Sequence, residues 1–321
     1  MKIELSVVTT LYYSQAHLVE FYERIKNSID KLTQSYEIIF VNDGSPDNSL
    51  QVVMELQKRD PNITIINLSK NFGHHKAMMT GLMHCQGQLV YLIDSDLEEE
   101  PEWLNMFHQK LLKENCDVVY GMQESRKGNW FEKISGAVYY KLLNKLSGTD
   151  FPKNVTTARL MTKRYVHSLT LHKERELMIT GLFHITGYKQ IAVNVKKHSH
   201  SATTYTFMKK LSLLITALTS FSDKPLLYIF YMGLIITLTS GFFIFNLVLK
   251  YLIWRISVPG WTSLIVSIWF IGGIISCFLG IIGMYISKIF TEVKQRPYTI
   301  IEGIYSSSND KNVCDKEEVK K

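Results

Sequence analysis

Two long runs without a charged side chain lie in the last third of the chain, and they constrain its architecture more than any other feature. The first run covers residues 225–249 and the second covers residues 256–287, and a Lys or Arg bounds each of them on both sides. A helix that crosses a bilayer needs about 20 consecutive apolar residues, and both runs exceed that length. Helices buried in a soluble core are shorter, so we predict two membrane-spanning helices, at about residues 225–249 and 258–287.

The segments that flank these runs complete the expected membrane region. Two spans place both chain ends on one side of the membrane, although the Lys and Arg residues near the run ends do not fix the orientation. Residues 206–224 carry apolar side chains at helical spacing and predict a juxtamembrane amphipathic helix, which either lies on the bilayer or packs on the soluble domain. Residues 291–321 are expected to form a cytoplasmic tail that is disordered from about residue 306, where polar residues dominate.

Residues 1–205 mix charged and apolar side chains as a soluble domain does. Short apolar segments rich in β-branched residues alternate there with amphipathic helical patterns. This alternation is typical of βαβ units and predicts an α/β fold with a mainly parallel sheet. The predicted strands are Leu5–Leu11, Glu37–Val41, Ile63–Leu68, Leu89–Ile93 and Asp117–Tyr120, and the predicted helices are His17–Leu32, Ser49–Arg59, His74–Cys85 and Glu102–Glu114.

Composition argues against several classes of protein. The net charge of +7 would suit a phosphate-rich membrane surface or a nucleic acid. Because Lys and Arg are dispersed rather than arranged in a stripe, we expect no nucleic acid as a partner. The four cysteines show no metal-ligand spacing, which indicates a reducing compartment and neither a disulfide framework nor a zinc site. The first residues read as a strand rather than a cleavable signal, so we expect the domain to fold in the cytosol.

Asp94 and Asp96 follow the fourth predicted strand directly. In parallel sheets, ligands bind beyond the carboxyl ends of the strands. Two carboxylates one residue apart at such an end can face one hard cation, with diphosphate oxygens as its other ligands. An isolated Asp-x-Asp is more often a solvated turn, but its place in a βαβ chain favours a site. We therefore predict that Asp96 and Asp94 bind Mg²⁺ or Mn²⁺, which stabilises charge on a leaving nucleoside diphosphate.

Two other polar clusters lie near strand or helix ends. Asp43 follows the second strand and can accept a hydrogen bond from a base or a ribose, whereas turn formation and helix capping explain residues 44–47 without a ligand. His74 and His75 are adjacent on a predicted helix, and adjacent residues do not share a helix face. The histidine pair therefore predicts no metal site.

Several motifs occur in a fixed order along the chain. A first set comprises Val7–Tyr12, Val41–Asp47, Asn71–Gly73, Ala77, Gly81–Leu82, Asp94–Leu97 and Pro101–Glu102. A second set comprises Arg159–Met161, Thr180–Leu182, Gly187–Tyr188 and Ser220–Leu226. Together they resemble family 2 glycosyltransferases with the GT-A fold over roughly residues 3–290. Within that family the chain is most similar to the polyprenyl-phosphate glycosyltransferases, such as bactoprenol glucosyltransferases and dolichol-phosphate mannose synthases.

The resemblance implies roles for particular residues. Asp94 and Asp96 would contact metal and diphosphate, and Arg159 would be the third catalytic residue, guiding an acceptor phosphate. Nucleotide contacts are implied at Thr10, Tyr12, Ser14, Val41, Asp43 and Ser95. Ser14 and Asn42 stand where family members usually carry an acid, and the usual arginine near the membrane is replaced. Other basic residues are therefore candidates for binding the acceptor phosphate: Arg126, Lys196, Lys197 and His198.

The resulting functional hypothesis is inverting transfer of one sugar from a nucleotide sugar to undecaprenyl or dolichyl phosphate. The enzyme would be a multi-pass protein of the inner membrane with its catalytic domain in the cytoplasm, and a homo-oligomer is possible. A lipid phosphate is already anionic and needs no general base, whereas a hydroxyl acceptor does. Two alternatives stay open: transfer to a hydroxyl of a lipid-linked or nascent polysaccharide, and a degenerate membrane scaffold that binds nucleotide sugar. Retention of Asp43, Asp94 and Asp96 argues against the scaffold.

Overall fold

The computed structural model of the chain describes five stretches of residues: 3–123, 154–175, 178–197, 224–254 and 260–306. The described residues form two units. One unit, the sheet domain, contains the described residues up to 197 together with the segment from Arg296 onward. The other unit, the helical unit, contains the described residues from 224 to Gln295.

The sheet domain is built on an eight-stranded mixed sheet with the order β7-β5-β6-β4-β1-β2-β3-β8. Four neighbouring strands, β4, β1, β2 and β3, run parallel at its centre. β6 runs antiparallel to β4 and β5, β7 runs parallel to β5, and β8 runs antiparallel to β3. The strands are β1 Leu5–Leu11, β2 Tyr36–Asn42, β3 Ile63–Leu68, β4 Leu89–Leu92, β5 Val118–Gln123, β6 Val155–Thr162, β7 Gln190–Val195 and β8 Ile301–Tyr305. The predicted α/β fold with a mainly parallel sheet is confirmed.

Helices cover both faces of this sheet, which explains the continuous apolar character of its central strands. The side chains of α1, α2 and α4 pack on one face, and those of α3, α5 and α6 pack on the other. The helices of the sheet domain are α1 Leu18–Asp30, α2 Ser49–Arg59, α3 His74–His84, α4 Trp103–Glu114, α5 Lys163–Thr170 and α6 Ile179–Ile185. The predicted helices agree with α1 to α4 to within two residues at each end.

Helix α3 lies unusually close to the centre of the sheet. A Cβ atom added at Gly81 would be 2.5 Å from Val8 Cγ1 and 2.9 Å from Val41 Cγ2, so only glycine permits this approach. The helix begins at His74, directly after Gly73, whose φ of 100° few other residues adopt. This packing fixes the first residue of α3 beside the carboxyl ends of β1 and β4.

Strand β8 corrects one expectation from the sequence. Residues 291–321 were expected to form a tail, but Ile301–Tyr305 pair with β3 at the edge of the sheet, and Ser69 N–H donates to Ile300 O. The expectation was wrong for this segment because a short apolar stretch does not reveal a strand partner more than 200 residues away. The expected disorder toward the chain end concerns residues that lie outside the described ones.

The helical unit consists of α7 (Lys224–Trp254) and α8 (Trp261–Val293). In the described part of the chain, one segment is long and apolar enough to cross a membrane, Ser267–Val293, with a mean hydropathy of 2.0 and none of its most apolar window buried. Leu226–Ser240 in α7 forms a shorter apolar segment. One of the two predicted spans therefore has a matching candidate, while the second stays a prediction. The predicted helix at 206–224 lies, except for Lys224, outside the described residues.

Candidate active site

The two aspartates predicted to bind metal lie in the loop after β4. The side chain of Asp94 is 16% exposed, but its Oδ1 atom is buried and, among the described residues, receives no well-aligned hydrogen bond beyond a long contact of 3.3 Å with His74 Nε2. Asp96 Oδ1 accepts the N–H of Glu98 at 3.0 Å. The next residue, Leu97, has φ of 58°, a left-handed conformation that is strained for leucine.

The carboxylate oxygens of Asp94 and Asp96 suit a hard divalent cation. A buried carboxylate oxygen without a donor is costly unless positive charge compensates it, and oxygen ligands are the ones that Mg²⁺ and Mn²⁺ prefer. Among the residues that the structure describes, no group of three or more His, Cys, Asp or Glu side chains could hold a metal ion. A cation at Asp94 and Asp96 would therefore take its other ligands from a bound diphosphate and water.

The two carboxyl groups have opposite pKa shifts. Burial raises the pKa of Asp96, and the negative charge of Asp94 adds to that rise against the opposing Glu98 N–H. Burial alone would also raise the pKa of Asp94, but its contact with His74, together with a hydrogen bond from Thr157 and the charge of Lys197, outweighs burial and lowers the pKa. Asp94 is thus the carboxylate that the surrounding protein holds in the charged form.

The imidazole of His74 connects the ends of β1 and β4. Its Nδ1 lies 3.0 Å from Thr10 Oγ1, and its Nε2 lies 3.3 Å from Asp94 Oδ1. Burial would lower the pKa of His74, but the contact with Asp94 and the charges of Asp43 and Asp96 raise it. The spacing of His74 and His75 in the sequence does not reveal the contact that His74 makes alone.

Two buried hydroxyls join the β4 loop to the loop after β1. Ser95 Oγ donates to Thr10 O at 3.0 Å and lies 3.1 Å from Ser14 Oγ. Ser14 Oγ also accepts the N–H of Tyr12 at 3.1 Å. The structure thus gives Ser14 and Ser95 a role in positioning these loops, and their predicted nucleotide contacts stay predictions.

Two tyrosines lie exposed at the end of β1. Tyr12 is 49% exposed and Tyr13 is 65% exposed, and their rings meet edge to face with centroids 4.8 Å apart. Tyr13 has φ of 55°, and its N–H donates to Ser45 Oγ at 2.8 Å. An exposed aromatic face at a strand end can stack on a nucleotide base. Tyr12, which the sequence predicts as a nucleotide contact, is accessible for that role.

Asp43 and Val41 both have structural roles at the end of β2. The carboxylate of Asp43 is buried and accepts N–H groups from Phe72 at 2.7 Å and Gly73 at 3.0 Å. It thereby fixes the turn that leads into α3. The Val41 side chain is fully buried beneath α3, so that only its backbone can reach a ligand. Nucleotide binding by either residue stays a prediction.

Glu99 is a buried acid whose role the sequence alone does not predict. Its two carboxylate oxygens accept N–H groups from Thr157 at 2.9 Å and Ala158 at 2.7 Å, just where β4 stops pairing with β6. Burial and the charge of Asp94 raise the pKa of Glu99 to about 7. The available signal in the sequence is the run of three acids, Glu98–Glu100, that closely follows Asp96.

Arg159 is buried rather than open to an acceptor. Its guanidinium donates to Thr157 O and Thr156 O, both at 3.1 Å, and its Cζ lies 3.3 Å from the centre of the Phe183 ring. Burial lowers its pKa to about 10, although the charges of Glu99 and Asp94 act in the opposite direction. The structure therefore brings Arg159 into the electrostatic field of the acid pair, while its contact with an acceptor phosphate stays a prediction.

Of the four basic residues proposed to bind the acceptor phosphate, Lys196 and Lys197 lie among the described residues. Lys197 Nζ lies 3.0 Å from Glu98 Oε2 and 3.8 Å from Glu99 Oε1, so that it balances acids of the β4 loop. Lys196 is exposed just beyond β7. Arg126 and His198 lie outside the described residues.

An α/β domain that gathers an acid pair and exposed aromatic side chains at the carboxyl ends of parallel strands has the architecture of a nucleotide-binding enzyme. Residues 6–170 match the family model for glycosyl transferase family 2, which is more than half of the chain. The chain belongs to this family and is a glycosyltransferase with the GT-A fold.

Relatives align along nearly the whole chain. One from Mycobacterium tuberculosis, named among the glycosyltransferases, is 47% identical over 305 residues, covering 95% of this chain and 89% of the relative. The prophage bactoprenol glucosyl transferase homolog of Escherichia coli is 29% identical over 305 residues, covering 94% and 99%. The solved glucosyl-3-phosphoglycerate synthase of Mycobacterium tuberculosis has a TM-score of 0.48 and 17% identity, covering 68% of this chain and 80% of that one.

Proposed function

We propose that this enzyme transfers a single sugar from a nucleoside-diphosphate sugar to a polyprenyl phosphate, undecaprenyl or dolichyl, at the cytoplasmic face of the membrane. The observation that carries the proposal is the pair Asp94 and Asp96 at the carboxyl ends of the parallel strands, where the buried Oδ1 atom of Asp94 receives no well-aligned hydrogen bond from the described residues. This feature suits a diphosphate-bound cation, and the neighbouring strand β1 is followed by Tyr12, whose exposed ring can stack on a base.

The donor side of the reaction depends on residues that the structure holds in place. Tyr12 and the backbone around Thr10 and Asp43 bind and orient the nucleotide, while Asp94 and Asp96 hold a divalent cation. Such a cation supplies positive charge where negative charge develops on the departing diphosphate. The charge of Lys197, which lies 3.0 Å from Glu98 and 3.8 Å from Glu99, reduces the negative potential of the acids near that position.

On the acceptor side, a lipid phosphate oxygen attacks the anomeric carbon as the bond to the diphosphate breaks. A single in-line displacement of this kind inverts the configuration at that carbon. The attacking oxygen is already anionic, so that no side chain needs to remove a proton. Lys196, exposed just beyond β7, is the described candidate for guiding the phosphate, and Arg126 and His198 remain candidates outside the described residues.

The membrane location is supported by the apolar helix and by a relative. None of the most apolar window of Ser267–Val293 is buried, which is unlike the core helix of a soluble protein and suits a helix facing lipid. The Escherichia coli relative named as a bactoprenol glucosyl transferase homolog matches 94% of this chain, the apolar region included. We propose that α7 and α8 both span the inner membrane and that the sheet domain is cytoplasmic.

The test uses membranes that contain the full-length enzyme, a panel of radiolabelled nucleotide sugars and undecaprenyl phosphate, followed by extraction of lipid. A labelled lipid that mild acid hydrolyses supports the proposal, since a sugar linked to phosphate is labile. An acid-stable glycolipid would indicate a hydroxyl acceptor, and no label with any donor would indicate a scaffold.

The variant that tests the acid pair is Asp96→Asn, which removes a charge while keeping the size of the side chain. Removing one charged ligand from the diphosphate site should lower transfer at least 100-fold, a loss similar to that of other electrostatic groups in active sites. Membrane insertion should be unchanged. Normal transfer by this variant would refute a role for Asp96.

A further inference from the structure

The imidazole of His74 sits where three elements meet, yet it takes no part in the reaction proposed above. It is the first residue of α3, it contacts Thr10 at the end of β1, and it contacts Asp94 after β4. Its side chain is 48% exposed, so that it belongs to the rim of the site rather than to the core. A residue that only packed the fold would not need a polar atom directed at each neighbour.

The atoms that His74 contacts indicate its role. Nε2 lies 3.3 Å from Oδ1 of Asp94, a buried oxygen that receives no well-aligned hydrogen bond in the described part of the chain. Since that oxygen is covered, the 16% of the Asp94 side chain that remains exposed belongs to its other atoms. A carboxylate held by one oxygen presents the other in a fixed direction.

The contact with Thr10 fixes the direction of the ring. Nδ1 lies 3.0 Å from Thr10 Oγ1, which leaves Nε2 as the nitrogen that faces Asp94. The backbone behind the ring is held as well, because Asp43 accepts the N–H of Gly73, the residue before His74. Contacts therefore hold both the imidazole ring and the backbone to which it is attached.

We propose that His74 is a positioning residue that orients Asp94 for a divalent cation bound with a nucleoside diphosphate. The inference rests on the proposed function, because it assumes that Asp94 and Asp96 bind this cation. Groups that hold a metal-binding carboxylate in place typically change metal affinity by about 10- to 100-fold when they are removed.

Three substitutions separate the two contacts of the ring. Gln places an amide near the position of Nε2 and can still donate to Asp94. Asn places its amide near the position of Nδ1 and can reach only Thr10. Ala removes both contacts and is well tolerated at the start of a helix. His75→Ala is the matched control, since the neighbouring histidine faces another direction on α3.

The experiment measures Mn²⁺ binding to the full-length, detergent-solubilised enzyme in saturating UDP, and again in GDP, by electron paramagnetic resonance of free Mn²⁺. His74→Ala and His74→Asn should raise the Kd for Mn²⁺ about 10- to 100-fold. His74→Gln and His75→Ala should stay within about 3-fold of the wild type. Thermal melting without metal should be similar for all four variants.

The outcomes separate the two proposals. Wild-type binding that Asp96→Asn abolishes but His74→Ala leaves unchanged would overturn the role of His74 alone. Equal loss in His74→Ala and His74→Gln would also overturn it, because the imidazole would then matter in some other way than by donating to Asp94. Absence of Mn²⁺ binding by the wild type with both nucleotides would overturn the metal site and this inference together.

Discussion

Single residues near the acid pair carry charge in a mostly buried setting, and this determines what each of them can do. Arg159 is the clearest case. Its guanidinium is stacked on Phe183 and donates to two carbonyl groups of its own strand. A planar guanidinium can make these contacts together, whereas an ammonium group cannot. The sequence marks Arg159 as important, but only the structure shows that its contacts are internal.

We expect Arg159→Lys to destabilise the enzyme by about 1–3 kcal/mol, because it leaves a buried carbonyl group without its donor. The measurement is the midpoint of thermal unfolding of the solubilised enzyme. Lys196→Met is the matched control, since Lys196 is exposed and its loss should not change the midpoint. A variant that melts normally but has a raised KM for the lipid acceptor would show instead that Arg159 contacts the acceptor.

At the scale of elements, Glu99 fastens the β4 loop to β6. Its carboxylate accepts the N–H groups of Thr157 and Ala158, which β4 no longer pairs once it has turned away. Lys197, beyond the end of β7, lies close to the same carboxylate. The loop that carries Asp94 and Asp96 is therefore held by strand β6 and by the ammonium group of Lys197, both of which lie far away in the sequence.

Glu99 gives this arrangement a defined pH dependence. Burial and Asp94 raise its pKa from 4.5 to about 7, against the effect of Lys197 and the two N–H groups. Between these values the folded enzyme keeps a proton that the unfolded chain has lost, so that stability contributed by Glu99 falls as the pH rises. Glu99→Gln removes the titration. The thermal midpoint of the wild type minus that of the variant should therefore decrease from pH 4.5 to 7, measured with a chelator present. A difference that is constant or increases would contradict this.

The pairing of β8 with β3 predicts where the chain can be shortened without loss of stability. Ending the chain after Gln295 removes β8, leaves the edge of β3 unpaired, and takes away Glu302, which accepts from Asn67 at 2.8 Å. Exposed strand edges promote aggregation, so we expect a lower thermal midpoint and aggregation on solubilisation. Ending the chain after Ser306 keeps the strand and is the control. Equal melting of the two shortened chains would show that β8 adds no stability.

The elements that the sequence predicts are those whose pattern is local. The apolar runs of β1 and β3 and the periodicity of α2 define their own boundaries, and the structure confirms them. β6 is harder to predict because a buried Arg159 interrupts its apolar pattern, and β8 because its partner is distant in sequence. The residues of the candidate site differ in the same way, between those that a local pattern predicts and those that depend on distant contacts. Asp94 and Asp96 follow from a motif at a strand end, whereas the contacts of His74 and Glu99 depend on which elements the fold brings together.

At the scale of the whole molecule, one chain combines a glycosyltransferase domain with a helix that exposes apolar side chains along its length. Trp269 and Phe270 near one end of Ser267–Val293 and Ile289 and Phe290 near the other are all exposed. A surface of this kind is unfavourable in water and favourable in lipid. If the acceptor is a lipid, as proposed, it would meet a membrane-anchored enzyme at a high local concentration, and anchoring would then contribute to the reaction without changing its chemistry.

A substitution in the central part of that helix tests directly whether the helix anchors the enzyme in the bilayer. Leu279 lies close to the middle of Ser267–Val293 and is exposed, so Leu279→Arg would place a charge near the bilayer centre at a cost of about 3 kcal/mol. More of the variant should appear in the alkaline extract of membranes, and transfer to undecaprenyl phosphate in vesicles should fall. Thermal stabilisation of the solubilised variant by UDP should be kept, because the sheet domain has its own core. Leu279→Phe controls for the change in size. Full retention of Leu279→Arg in the membrane, with normal transfer, would mean that this helix does not lie in the bilayer, since lipid does not accept an unpaired arginine at its centre without loss.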